Sequence, residues 1–461
     1  MKRVLSLWYR FFSQHFLLSV LVLAGCTQTN SVTFTEQEVA TAWADMTLHI
    51  TKTTPANSPT FASRCFGYIG LTMYESIVQG YPEYKTLSGQ LNALTDLPKP
   101  EKDAAYNWVL SLNAGQAYIL KKIYLQTSDQ NKMKIDSLEN LIFEQFSASL
   151  QDQSVASRSV DYGRAVAEAI FQWSLTDGGH RGYLHNFDKS VIAPSAPGSW
   201  EPPLYGQSFS HYPLHPHWGK NRTFVKVNSE LPTPKMIPYD TSRQSEYYSQ
   251  FLRVYKKNIS VTQEEKEISL WWADDPGETF TPPGHSYYLG TRVLKLQNPD
   301  LIRCAETYAR IGMATADAFI NCWKWKYEFW SERPSSFVTK NIDERWESFW
   351  PDPPFPAFPS GHATQAAATA RVLIDLYGEQ LTFVDSAHAL RPRDELRQVD
   401  FKPRTFTSFW QVAVETADSR FYGGIHTPQD NEAGLSEGSK MGNNVNALQW
   451  RTNKVVAVAN P

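Results

Sequence analysis

Apolar residues along this 461-residue chain recur at helical rather than alternating spacing. Phe61, Cys65, Ile69, Met73 and Ile77 fall every four positions, and residues 161–175, 266–273 and 299–324 repeat the pattern, each placing an apolar stripe on one helical face. The periodicity predicts a mostly α-helical domain. It breaks at residues 185–240, where Pro, Gly, Ser and Tyr gather in runs such as Ala193-Pro-Ser-Ala-Pro-Gly-Ser-Trp200 and His211-Tyr-Pro-Leu-His-Pro-His217. Trp200, Tyr205, Tyr212 and Trp218 in that stretch need surfaces to pack on, which predicts a long ordered loop rather than a linker. His211, His215 and His217 could form a metal cluster, but the intervening prolines and the lack of nearby Cys or carboxylates favour capping or surface histidines.

The first residues follow another pattern. Lys2, Arg3 and Arg10 precede an apolar run from Phe16 to Leu23 and then Leu23-Ala24-Gly25-Cys26, a lipobox. The run is well short of the roughly 20 residues a membrane span needs. Residues 1–25 are therefore expected to be a cleaved signal, with Cys26 lipid-anchored to the cell envelope of an exported protein. Residues 26–50 read as a tether and N-terminal extension, and 51–461 as a single α-helical domain. No later segment is apolar enough to span a membrane.

Composition adds limits. With 42% hydrophobic and 13% aromatic residues the chain can bury a large core, and a net charge of -3 gives no reason to expect nucleic acid. Beyond Cys26 there are Cys65, Cys304 and Cys322. The last two lie eighteen residues apart on one predicted helix, roughly 27 Å, too far to bridge, so buried thiols are expected.

The chemistry concentrates in residues 323–430. Ser360-Gly361-His362 precedes an Ala-rich stretch that closes at Gly378, so Ser360 reads as a helix cap whose first turn offers free amides and a positive dipole end to an anion. Lys326 and Arg333, seven positions apart near the end of the long helix, would share one face, with Pro334 ending that helix. In the run from Asp418 to Asp430, Arg420 offers a bidentate fork, and Gly423-Gly424 allow a turn that returns His426 beside it. Asp430 could orient the His426 imidazole. It could equally cap the helix that begins at Thr427-Pro428. Cations, amides and imidazoles of this kind suit a tetrahedral oxyanion such as phosphate or vanadate.

In order and spacing these three elements resemble those of the vanadium-dependent haloperoxidases, within the larger group that also holds the type 2 phosphatidic acid phosphatases and bacterial class A acid phosphatases. The resemblance implies an all-α, helical-bundle fold with long loops and vanadate as cofactor. His426 would bond to vanadium, Lys326, Arg333, Arg420, Ser360 and the Gly361 amide would hold its oxygens, and His362 would be the acid-base group. Asp275, in Trp271-Trp-Ala-Asp-Asp275, would partner Arg420. Trp323 and Phe355 stand where chloroperoxidase-type members carry aromatic residues near the halide site. Pro282-Pro-Gly-His285 echoes the Ser-Gly-His element without its Ser and reads as another helix start. Hydrogen peroxide, halide (iodide first, then bromide) and small organic acceptors would be the partners. The same cradle also fits a phosphatase with His426 as nucleophile on phosphorus, and a non-catalytic oxyanion-binding lipoprotein remains a third reading.

Overall fold

The computed structural model describes residues 33–203 and 210–452. The signal, Cys26, Tyr205 and most of the expected tether lie outside the described residues. In chain order the helices are α1 (Glu36–Thr53), α2 (Pro59–Glu75), α3 (Trp108–Ile123), α4 (Asp129–Ser147), α5 (Gln153–Ser174), α6 (Lys226–Ser229) and α7 (Glu246–Asn258). They continue with α8 (Gln263–Trp271), α9 (Thr281–Gln297), α10 (Leu301–Phe329), α11 (Pro334–Asn341), α12 (Gly361–Tyr377), α13 (Phe409–Tyr422) and α14 (Pro428–Asn446). The helical periodicity is thus realised. Its exception is a two-stranded antiparallel ribbon, β1 (Gln380–Asp385) with β2 (Arg404–Ser408), in which Phe383 faces Phe406 between α12 and α13.

Helix starts follow local chemistry. Ser58, Asn107, Ser128, Thr262, Asp300 and Ser360 each accept an amide of the first turn that would otherwise go unpaired. Helix α10 is buried along nearly its whole length and packs on α2, α9, α12 and α14. Gly434, Gly438 and Gly442, four apart on α14, let α12 lie directly against it: a Cβ at Gly438 would stand 2.0 Å from the Thr364 carbonyl oxygen. This contact fixes the N-terminus of α12, where the site is built.

One expectation about organisation changes. Residues from 36 onward, expected within a tether and extension, form α1, which buries Val39, Trp43 and Ile50 and donates from the Trp43 indole to Asn113 at 3.0 Å. The compact unit accordingly starts at Phe34 rather than residue 51. The alternation of buried positions on α1 is weak because small and polar residues share its inner face. The long loop is ordered as expected, and Trp200 and Trp218 are buried, while Tyr212 stays 40% exposed. Buried Asp317 on α10 anchors the loop's end by accepting from the amides of Phe224 and Val225 and from Asn228.

Cys65, Cys304 and Cys322 are free and buried, as expected. Among the described residues no helix is long and apolar enough to cross a membrane.

Candidate oxyanion site

The long helix does not carry both cations. α10 ends where Trp330 turns left-handed (φ 50°), and Arg333 is the residue that precedes α11, with Pro334 as that helix's first residue rather than the end of α10. The expected shared helical face is therefore wrong: Pro334 fits a helix start because its missing amide hydrogen has no partner to lose there. Lys326 and Arg333 still meet, through the loop of residues 355–359. The Lys326 ammonium donates to the carbonyls of Pro356, Ala357 and Pro359 at 2.7–2.8 Å. Arg333 donates to the carbonyls of Phe355, Pro356 and Ile425. With all three protons on carbonyls, Lys326 acts on an anion through its charge and through the loop shape it fixes.

Ser360 caps α12 as expected: its hydroxyl accepts from the Ala363 amide at 3.4 Å, which leaves its own proton free to donate. The amides of Gly361 and His362, in the first turn, have no intrahelical carbonyl to meet. A Cβ at Gly361 would stand 3.3 Å from the Trp323 ring, so the backbone, ring and cradle are close-packed here. His362 Nε2 is buried with no partner. Burial and then the Arg420 charge push its imidazole down to about 3, so it is neutral in the anion-free site.

Of the two glycines after α13, Gly424 alone takes the left-handed conformation (φ 77°), and the Ile425 amide bonds back to the Arg420 carbonyl at 3.1 Å. His426 is thereby returned toward Arg420. Arg333 Nη1 lies 3.1 Å from His426 Nε2, and since a guanidinium only donates, Nε2 must carry the lone pair and Nδ1 the proton. Nδ1 faces Asp430 Oδ2 at 3.3 Å. The same oxygen accepts from the Thr427 amide at 2.8 Å, so Asp430 performs both roles the sequence allowed. Burial, reinforced by Arg333 and Lys326, holds the His426 imidazole far below its ordinary range.

Lys326, Arg333, Arg420 and His426 are all buried. Among the described residues none of the three cations has a carboxylate within 4 Å; their partners are carbonyls, with His426 Nε2 added for Arg333 and the Ser419 hydroxyl for Arg420. Asp275, expected to pair with Arg420 and placed in the turn after α8, lines the same cavity as Arg420 and makes no ion pair with it within 4 Å, yet its charge is the first of those that oppose the loss of the Arg420 proton. Its neighbour Asp274, at φ 52°, turns inward instead. A cavity of about 370 Å³ opens above the cradle, lined by Gly361, His362, Arg420 and His426 on one side and by Trp323, Phe355 and other apolar residues on the other. Trp323 and Phe355 pack with ring centroids 4.9 Å apart, forming the expected aromatic wall.

A buried network beside His362, with Asp274 also lining the cavity, was not legible in the sequence. His285, on the α9 start, meets Asp274 through Nδ1 at 2.8 Å and Asp385 through Nε2 at 2.9 Å, while His388 meets Asp274 at 2.9 Å. The Trp271 indole donates to Asp385 at 2.7 Å. Burial would lower the His285 pKa, but the two carboxylates push it up to about 10, so it is an imidazolium bridging them. Asp274, His285 and His388 are close enough to hold a metal ion. His285, however, already spends both nitrogens on carboxylates. The only signal in the sequence was the acidic pair after Trp271-Trp272, with His285 one turn into the next helix; its partners on the ribbon lie about 100 residues away.

His211, His215 and His217 form no metal cluster among the described residues. His215 is buried between the Thr60 hydroxyl and the Gly182 carbonyl, and His217 pairs with Asp188 at 3.1 Å.

Residues 306–453 match the family model described as the VCPO second helical-bundle domain. The curated vanadium chloroperoxidase of Curvularia inaequalis is 26% identical over 216 residues, 34% of this chain and 34% of the relative, so the match spans about a third of that relative's length. Among solved structures, the first bacterial vanadium-dependent iodoperoxidase superimposes with a TM-score of 0.77 at 28% identity, covering 91% of this chain and 98% of that one. A holo-type bacterial vanadium-dependent chloroperoxidase shares the fold, with a TM-score of 0.64 at 16% identity over 84% of this chain and 91% of that one.

Proposed function

We propose that this chain, a relative of the vanadium-dependent haloperoxidases in its fold and its C-terminal bundle, is itself such an enzyme and oxidises halide with hydrogen peroxide to hypohalous acid. The observation that carries the reading is a cradle of three buried cations with no carboxylate within 4 Å among the described residues, set beside an imidazole lone pair on His426 and the unpartnered His362 Nε2. A tetrahedral oxyanion supplies the missing charge and the missing hydrogen-bond acceptor together, so these residues fit vanadate.

His426 Nε2 would hold the metal, its lone pair kept by the Nδ1 proton on Asp430. Arg333, Arg420, the Ser360 hydroxyl and the Gly361 amide would hold the oxygens, with Lys326 adding charge from below. Bound vanadate would supply an electrophilic centre that activates peroxide toward halide. His362, neutral in the anion-free protein, would gain proton affinity beside the bound anion and exchange a proton with peroxide. Trp323 and Phe355 would present a polarisable, water-poor wall to the halide, which suits iodide first and bromide second.

Vanadate and phosphate share this geometry, so the test must separate them. Purified protein reconstituted with orthovanadate is expected to oxidise iodide with peroxide, bromide more slowly, and to lose the activity on vanadate removal. Hydrolysis of p-nitrophenyl phosphate by the vanadate-free form, inhibited by vanadate and without halide turnover, would assign a phosphatase with His426 as nucleophile. Lipid attachment at Cys26 belongs to the same proposal: Cys26→Ala should release the protein from the membrane fraction of cells that export it.

A further inference from the structure

The cavity above the cradle is larger than its proposed small substrates require. A water takes about 30 Å³ of liquid, and a halide and a peroxide molecule are each on the order of one or two waters, whereas the cavity measures about 370 Å³. Its size is that of a small organic ligand site. Away from the cradle the walls are Pro59, Leu214, Phe319, Trp323, Trp350 and Phe355, flat and apolar. Three carboxylates also line the cavity: Asp274, which is bonded to His285 and His388, Asp275, which acts on Arg420, and Asp352. Asp352 is 4% exposed and lines the cavity; its Oδ2 accepts from the Ser335 hydroxyl, but its Oδ1 is buried with no partner. The Arg333 charge acts on this carboxylate but donates no hydrogen bond to it, and the Oδ1 without a donor calls for one from the ligand.

We propose that this cavity seats a small hydroxyarene, its ring between Trp350 and the Trp323–Phe355 wall and its hydroxyl donating to Asp352 Oδ1, so that halogen transfer to the ring takes place within the pocket. The assignment rests on the haloperoxidase reading for the transfer step but not for binding. In that step a ring carbon attacks the halogen of hypohalous acid, the carbon–halogen bond forms as the halogen–oxygen bond breaks, and the ring proton and hydroxide leave as water.

Binding is tested first on vanadate-free protein, by calorimetry with phenol and with anisole, which lacks the donor. Phenol should bind at least about tenfold more tightly, the size expected for one hydrogen bond to a charged acceptor. Asp352→Ala should abolish the preference, and Trp350→Ala should weaken both ligands. Equal affinities in the native protein, or a preference untouched by Asp352→Ala, would overturn the assignment; should Asp352→Ala fail to fold, the phenol and anisole comparison in the native protein and the Trp350 variant decide. On the vanadate-loaded protein, the ortho-to-para ratio of iodophenols should differ from that given by free hypoiodite. An identical ratio would overturn transfer within the pocket. Absence of halide oxidation would refute the haloperoxidase reading and leave the binding result standing.

Discussion

Removing Arg420 should stabilise the anion-free protein and weaken its hold on oxyanions. The guanidinium is buried; burial lowers it from its ordinary 12.5 to about 10, with Asp275 and Asp274 opposing only in part. That corresponds to roughly 3 kcal/mol spent keeping it charged at neutral pH. The sign follows from linkage: a base whose folded value is depressed destabilises the fold at every pH below that value, and the penalty fades only as pH rises through 10 toward 12.5. Arg420→Met removes the charge and keeps much of the packing, while the Ser269 carbonyl loses its 2.5 Å bond, a cost of about 1 kcal/mol. The net expectation is about 1–2 kcal/mol of stabilisation without anion. Oxyanion affinity moves the other way. A cation at about 4 Å contributes on the order of 4 kcal/mol at an effective dielectric near 20, so affinity should fall about a thousandfold. Arg420→Lys keeps the charge and loses the fork, and should cost about ten- to a hundredfold. Thermal melts with and without orthovanadate read both effects, because vanadate at a hundred times its Kd raises stability by about 2.7 kcal/mol. A variant that melts lower than the native protein by the same amount with and without vanadate would show that Arg420 is a structural residue and that the cradle argument is wrong.

Other consequences are sharp enough to check. His426→Ala should abolish vanadate binding while His362→Ala keeps much of it and loses oxidation, read by equilibrium dialysis beside an iodide assay; equal losses of affinity would refute that division. Burial holds the Lys326 ammonium below the ordinary lysine range, and a bound oxyanion restores it, so binding takes up a proton: affinity is full at low pH, falls as pH rises through the depressed value, and falls less steeply in Lys326→Met. Gly438→Ala would place a Cβ 2.0 Å from the Thr364 carbonyl oxygen, costing about 1–3 kcal/mol of overpacking against a helix-propensity gain of about 1, and displacing the start of α12. Its melting temperature and vanadate affinity should both drop; a higher melting temperature would count against that close contact. His285→Gln leaves Asp274 and Asp385 buried beside each other without their cation and should cost about 3–5 kcal/mol, measured by urea unfolding.

The residues proposed to build the anion cradle were legible because their chemistry is local. Ser360 reads as a cap, Gly424 as a turn and Asp430 as a first-turn acid, since each needs only the few residues around it to act. The helical fold was legible for the same reason: apolar spacing is a property of one segment. What failed were statements that join segments across a break. Lys326 and Arg333 looked like two positions of one helix because nothing in composition marks Trp330 as left-handed, and the loop that reunites them is held by carbonyls, which carry no side-chain signal. Asp275 was matched to Arg420 from a short aromatic-acidic run, and that run carries no sign that its neighbour Asp274 turns inward to meet buried histidines. Sequence by itself determined the helices, the caps and the set of cations, amides and imidazoles that the fold gathers into the cradle. Tertiary structure decided the tautomer of His426, the lack of any carboxylate within 4 Å of the cradle cations among the described residues, the His285 network and the unpartnered Asp352 oxygen, because burial and partnership arise between residues far apart in the chain.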